Sequence, residues 1–152
     1  MARAKFQVLV IPFKRDGEKI KFCMFHRTHM KLWQFIAGGG EDNETKIEAA
    51  KREAFEEAGI RGNVFYELDT CCSIPAKCFK ESINWGDECF VVPEYAFAVE
   101  INEENIAISQ EHSKYEWVDY DTAISNLRYD SNKVALGELV ARIDRNLLGK
   151  EL

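Results

Sequence analysis

The chain has 152 residues, 46% hydrophobic and 30% charged, which suits one globular domain with a buried core and excludes a low-complexity or fibrous chain. A formal net charge of −6 argues against nucleic acid or an anionic membrane as the main partner, so a polyanionic ligand must be met by local cations. No apolar run approaches the ~18 residues of a membrane span, and the N-terminus runs straight into a strand pattern without a signal-peptide layout.

Residues 5–13 are β-branched and apolar and read as a strand, with Pro12 placing its end at an edge or bulge. Asp16-Gly17 marks a hairpin turn into a second strand over 19–26, where Ile20, Phe22 and Met24 alternate with Lys19, Lys21 and Cys23. A short strand over 32–37 delivers the chain to Gly38-Gly39-Gly40, which reads as a glycine-rich turn before a short acidic loop. Thr45 and Glu48 form a capping box and Gly59 supplies a left-handed stop, so one helix is predicted between them. Residues 62–74 are β-rich around Val64, Tyr66 and Leu68, 75–88 read as a surface loop carrying Trp85, and 89–100 as a strand interrupted by Pro93. A polar stretch over 101–114 precedes a short strand with Tyr115 and Trp117, and Asp121 or Thr122 caps a short helix over 122–127. Ser131 caps the last helix, whose period is set by Leu136, Leu139, Val140, Ile143 and Leu147. Five cysteines, an odd number with no CxxC pair, predict reduced thiols in a cytoplasmic protein, mostly filling core positions. Without repeats or linkers, residues 1–152 read as a single domain of the α+β class, in which several topologies stay open.

The middle helix has an unusual face. Ile47, Ala50, Ala54 and Ala58 make a narrow stripe of small core residues, while Glu53, Glu56 and Glu57 crowd their carboxylates together at i, i+3, i+4. Each like-charge pair costs an isolated helix about 0.2–0.5 kcal/mol, and the dipole disfavours anions near a C-terminus. Either the face is simply solvated, or a hard cation held by oxygen donors beside the glycines, Mg²⁺ or Mn²⁺, relieves the repulsion.

Gly38, then five residues, Glu44, then seven residues, and the run Arg52-Glu53-Ala54-Phe55-Glu56-Glu57-Ala58-Gly59-Ile60 resemble the Nudix box, GX5EX7REUXEEXGU. Every fixed position is filled, with Ala54 where the family usually has a larger aliphatic. The resemblance implies a Nudix-type α/β/α sandwich on a mixed β-sheet, with the box helix packed on one face. It also implies a Mg²⁺-dependent hydrolase acting on a phosphoric anhydride. Glu53 and Glu57 are then direct metal ligands, Glu56 a ligand or the base working through water, and the Gly39 carbonyl a further ligand. Gly38 lies beside the substrate, and Arg52 and Glu44 orient the acids.

Glu111 alone reads as a solvated loop acid. Its segment, EHSKYEW, resembles a stretch of bacterial Nudix enzymes that split nucleoside triphosphates and dihydroneopterin triphosphate, where this acid approaches the metals from outside the box. The run Trp33-Gln34-Phe35-Ile36-Ala37-Gly38 and the pair Ser131-Asn132 point to the same branch. Arg27 and, behind it, Lys5 are the phosphate-binding candidates, although Arg27 also reads as a plain strand-end cation. Trp33 and Phe35 fit core packing or stacking on a base or pterin, Trp85 stays open, and His29 and His112 read as exposed.

The leading expectation is hydrolysis of a nucleoside or pterin triphosphate to monophosphate and pyrophosphate. ADP-ribose or dinucleoside polyphosphate hydrolysis is the alternative: Pro75 lies fifteen residues beyond Ile60, a spacing similar to that of ADP-ribose-cleaving members, but the tyrosine expected of diadenosine cleavers near 76–78 is absent. A nucleotide sensor without activity is a third reading, opposed by the survival of every box acid. A homodimer is common in the family.

Overall fold

One long strand organises the sheet. In the computed structural model, which describes residues 2–102 and 106–152, β1 (Arg3–Asp16) pairs antiparallel with β2 (Lys19–Arg27) and β4 (Ile36–Glu41) and parallel with β6 (Val91–Glu100). Residues 103–105, within the predicted polar stretch, and residue 1 lie outside the described residues. β3 (Trp33–Gln34) and β7 (His112–Val118) both pair with β2, and β5 (Phe65–Pro75) pairs with β6 at the far edge. The parallel β1·β6 ladder makes the sheet mixed, as the α+β sandwich requires.

Period-two burial of β1 builds two cores from one strand. Val8 and Val10 face the helix α1 (Lys46–Ala58), together with Phe25, Ile36, Phe97 and Val99. Leu9, Ile11 and Phe13 face α2 (Tyr120–Asn126) and α3 (Asp130–Asp144), with Phe22, Met24 and Phe35 beside them. Both faces are covered, so β2 carries a run of four buried residues, Phe22 to Phe25, rather than an alternating pattern. The buried face of α1 is Ala49, Ala50, Ala54 and Ala58, whose small side chains let the helix lie close to the sheet.

The predicted helix and its caps are present: Thr45 and Glu48 exchange the two capping-box hydrogen bonds, and Gly59 adopts φ 69°. Other boundaries move. The 5–13 strand extends both ways, and Pro12 lies inside the sheet, after the β4 ladder has ended at Val10 and before the β2 ladder begins at Phe13. The predicted 32–37 strand splits in two, and Gly38–Gly40 are strand residues of β4 paired with β1, not a turn. The 75–88 segment contains two 3₁₀ turns, Ala76–Cys78 and Lys80–Asn84, and buries Trp85 against Ala76 and Val92. Asp119, not Asp121 or Thr122, caps α2 by accepting the Thr122 amide at 2.8 Å. Ser131 lies within α3, and Leu147 falls beyond its end, exposed. Cys23 is buried, but Cys71 and Cys72 on the edge strand β5 are exposed and intermediate, and Cys78 and Cys89, outside the strands, are exposed and intermediate as well.

β5 breaks register with β6 between Glu67 and Cys71. The Asp69 and Thr70 amides at this irregularity donate instead to the Glu138 carboxylate of α3, at 2.6 and 2.7 Å, and Arg142 donates to the same group at 2.7 Å. This clamp ties the last helix to the sheet edge. Among the described residues no helix is long and apolar enough to cross a membrane.

Candidate active site

The site begins with what the glycines permit. A Cβ on Gly38 would overlap the Glu53 carboxyl, one on Gly39 the Arg3 guanidinium, and one on Gly40 the Phe6 ring. None of the three has positive φ, so they are glycine because side chains from α1 and β1 lie directly on their backbone.

Arg52 ties this strand to the acids. Its guanidinium donates to both oxygens of Glu44 (2.7 and 3.0 Å), to the Gly39 carbonyl (2.7 Å), to Glu53 (2.9 Å) and to Glu56 (3.2 Å). The bidentate pair holds the Glu44 carboxyl below the usual range. Glu53 shifts the other way: burial raises it first, Arg52 opposes, and Glu56 and Glu111 add repulsion.

Glu57 is the outlier. Its side chain is 4% exposed, and neither oxygen has a protein donor among the described residues. Burial, then the charges of Glu53 and Glu111, push its pKa up to about 10, and the hydrogen bonds it can make to those two acids require a shared proton. His112 does not supply the missing donor: its Nε2 stands 3.9 Å from Glu57 Oε1, too far for a hydrogen bond. Predicted to be exposed, His112 is buried against Phe25, and that burial, partly offset by Glu111, lowers its pKa.

A cleft of about 490 Å³ opens beside these acids. Glu53, Glu111, Gly38, Gly39 and Arg27 line it, so it gathers five of the predicted site residues. Glu57 is buried next to Glu53 and Glu111, while Glu56 stays half-exposed and reaches the group through Arg52. Two candidates lie elsewhere. Lys5 points to a separate surface hollow beside Trp85, and Trp33 packs edge-on to His26 at 5.0 Å with the Lys114 ammonium 5.4 Å from its ring.

The cleft also holds polar groups that the sequence reading missed. Arg3, from the start of β1, lies over the Phe79 ring at 4.7 Å and donates to Gln7 at 3.0 Å. Gln7 donates to Glu94 at 2.8 Å, and Gln34 and Asn132 complete the wall. The available signal was a polar residue inside an apolar strand: Gln34 between Trp33 and Phe35, and Glu94 within VVPEYAFAVE.

Buried carboxyl oxygens without donors, two further acids beside them and a Cβ-free strand form an all-oxygen environment suited to a hard divalent cation. Among the described residues no three acids, histidines or cysteines already converge as a ligand cluster. Arg52 accounts for part of that, since it holds Glu53 and Glu56 to itself.

A mixed sheet between helices, with an acid-bearing helix set on a glycine strand, defines the Nudix class of fold. The NUDIX domain model matches residues 4–138, and the chain belongs to the NUDIX family. It is 35% identical over 131 residues to Nudix hydrolase 13, mitochondrial, of Arabidopsis thaliana, covering 80% of this chain and 60% of that protein's length. A crystal structure of a NUDIX hydrolase candidate from Listeria monocytogenes superposes with TM-score 0.86 at 44% identity, over 95% of this chain and 97% of that one. The E. coli dihydroneopterin triphosphate pyrophosphohydrolase superposes with TM-score 0.75, over 93% of this chain and 98% of that one; at 22% identity the likeness is one of fold.

Proposed function

We propose that the protein hydrolyses a nucleoside or dihydroneopterin triphosphate to the monophosphate and pyrophosphate, with Mg²⁺ as its cation (Mn²⁺ substituting). The observation that carries this reading is Glu57, a buried carboxyl without a protein donor among the described residues, beside Glu53 and Glu111 at a cleft that also presents Arg3 and Arg27. In this reading Glu53, Glu57 and Glu111 hold the cation, with Glu56 or the Gly39 carbonyl as further donors. When bound, a divalent cation neutralises phosphate charge and lowers the pKa of water.

The chain's own groups do the rest. Arg27 and Arg3 bind the phosphate oxygens, and Arg3 is pre-set by Gln7 and Phe79. Gly38 and Gly39 give the phosphates access to bare backbone. Arg52, already hydrogen-bonded to Glu44, Glu53 and Glu56, positions the acids without touching substrate. The half-exposed Glu56 carboxylate takes the proton of the attacking water. The water oxygen bonds to the α-phosphorus, the bond from that phosphorus to the bridging oxygen breaks, and pyrophosphate leaves with the electron pair. A cytoplasmic setting is part of the reading and is supported by five free thiols.

The test is product analysis in ¹⁸O-water with Mg²⁺, over canonical and oxidised dNTPs, dihydroneopterin triphosphate, ADP-ribose and diadenosine polyphosphates. Monophosphate carrying the label, with unlabelled pyrophosphate, is expected from a triphosphate. Preferred cleavage of ADP-ribose to AMP and ribose phosphate, or no turnover of any triphosphate, would overturn the proposal.

A further inference from the structure

The wall of the cleft away from the box acids is polar where it has least reason to be. Glu94 and Gln34 are 5% and 4% exposed, yet both line the cleft. The Glu94 carboxylate accepts from Gln7 Nε2 at 2.8 Å and from the Ser131 hydroxyl. A carboxylate has about four acceptor sites, so these two donors leave room for two more. The Gln34 side-chain nitrogen has no hydrogen-bond partner among the described residues. Asn132 does not compete for either group: its oxygen accepts the Phe35 amide at 2.8 Å and its nitrogen donates to Ser131 at 3.2 Å. The wall therefore keeps a pair of acceptor sites and a donor in reserve. Phe79, its ring covered by Arg3, lies on the same cleft.

We propose, building on the triphosphate reading above, that Glu94 and Gln34 select substrates whose ring carries a 2-amino-4-oxopyrimidine edge, the edge shared by guanine and the pterins. Such an edge places a ring N–H and an exocyclic amino group side by side, matching the two acceptor sites of one carboxylate, with a carbonyl alongside for an amide donor. The adenine edge puts a ring-nitrogen lone pair where the carboxylate needs a donor. The cytosine edge does the same, and thymine offers a single N–H between two carbonyls. A buried carboxylate left facing a lone pair is the arrangement by which polar sites reject the wrong ligand most strongly. Burial raises the Glu94 pKa, and the donations from Gln7 and Ser131 offset that rise only in part.

The test compares kcat/KM for dGTP, dITP, dATP, dCTP, dTTP and dihydroneopterin triphosphate on the full chain with Mg²⁺. A preference of about 100-fold or more for dGTP or dihydroneopterin triphosphate over dATP is expected. Their ratio to each other separates the nucleotide from the pterin. dITP, lacking the 2-amino group, falls about tenfold or more below dGTP. In Glu94→Gln the dGTP-to-dATP ratio drops at least about tenfold, with a thermal melt confirming that the variant folds. Turnover of all bases within a few-fold, or a preference for dATP, would overturn this inference and leave the triphosphate reading standing. Absence of triphosphate hydrolysis would remove both.

Discussion

Replacing Gly38 by Ala places one methyl group where the Glu53 carboxyl now lies. The carboxyl must swing away, and its hydrogen bond from Arg52 at 2.9 Å breaks. Overpacking costs about 1–3 kcal/mol, which in a domain of this size lowers Tm by roughly 2–12 °C. The lost hydrogen bond to a charged group keeps the change in the upper part of that range. Gly137 is the control. It lies inside α3 and an added Cβ meets nothing within 4 Å, so Gly137→Ala stabilises by about 0.5–1 kcal/mol. The same chemical change thus moves Tm in opposite directions at the two sites, as calorimetry or urea titration reads directly. A Gly38→Ala protein as stable and as active as the parent would refute the claim that bare backbone is required under Glu53.

Arg52→Lys cannot reproduce the bidentate hold on Glu44 together with the bond to the Gly39 carbonyl, so metal-dependent turnover falls about 10–100-fold without loss of charge. Arg27→Ala raises KM for a triphosphate about tenfold or more, whereas Lys5→Ala, in its separate hollow, changes kcat/KM less than about twofold. Glu138→Gln weakens the clamp between α3 and β5 by about 1–3 kcal/mol at neutral pH, measured by denaturant titration. Burial alone would raise the Glu138 pKa, but the donors on Thr70, Asp69 and Arg142 outweigh it and hold it low. A depressed carboxyl stabilises the fold above its unfolded value of about 4.3, and that stability is lost as pH falls through the folded value. The gap between wild type and Glu138→Gln therefore closes below about pH 4.

What the sequence made legible was local. Thr45, Glu48 and Gly59 announce α1 because capping chemistry acts within four residues of the chain, and the strand patterns of β1 and β2 follow from alternation and bulk. What it hid was set by contacts far apart in sequence. Gly38–Gly40 resemble a turn until Glu53, Arg3 and Phe6 are seen lying on them. Arg3 rather than Lys5 reaches the cleft because β1 begins earlier than its apolar run and shifts register against β4 between Arg3 and Gln7. His112 sits in a polar segment, yet β7 pairs with β2 and turns it inward onto Phe25. The box acids were found in the chain, but that Glu57 would be buried with no donor among the described residues is a property of packing.

The central claim is that Glu57 is kept for a cation, and its protonation tests this most directly. Burial and the charges of Glu53 and Glu111 raise the Glu57 carboxyl, so the metal-free protein is expected to hold a proton there at neutral pH, at a cost in stability as pH climbs above about 4.3. A cation must displace that proton to bind. Titrating Mn²⁺ or Mg²⁺ into weakly buffered protein at pH 7 should release about one proton per cation bound in the wild type. Glu57→Gln should release fewer protons per cation than the wild type, with kcat reduced roughly 100-fold. Equal proton release from both proteins, or cation binding to Glu57→Gln with unchanged affinity, would contradict the account.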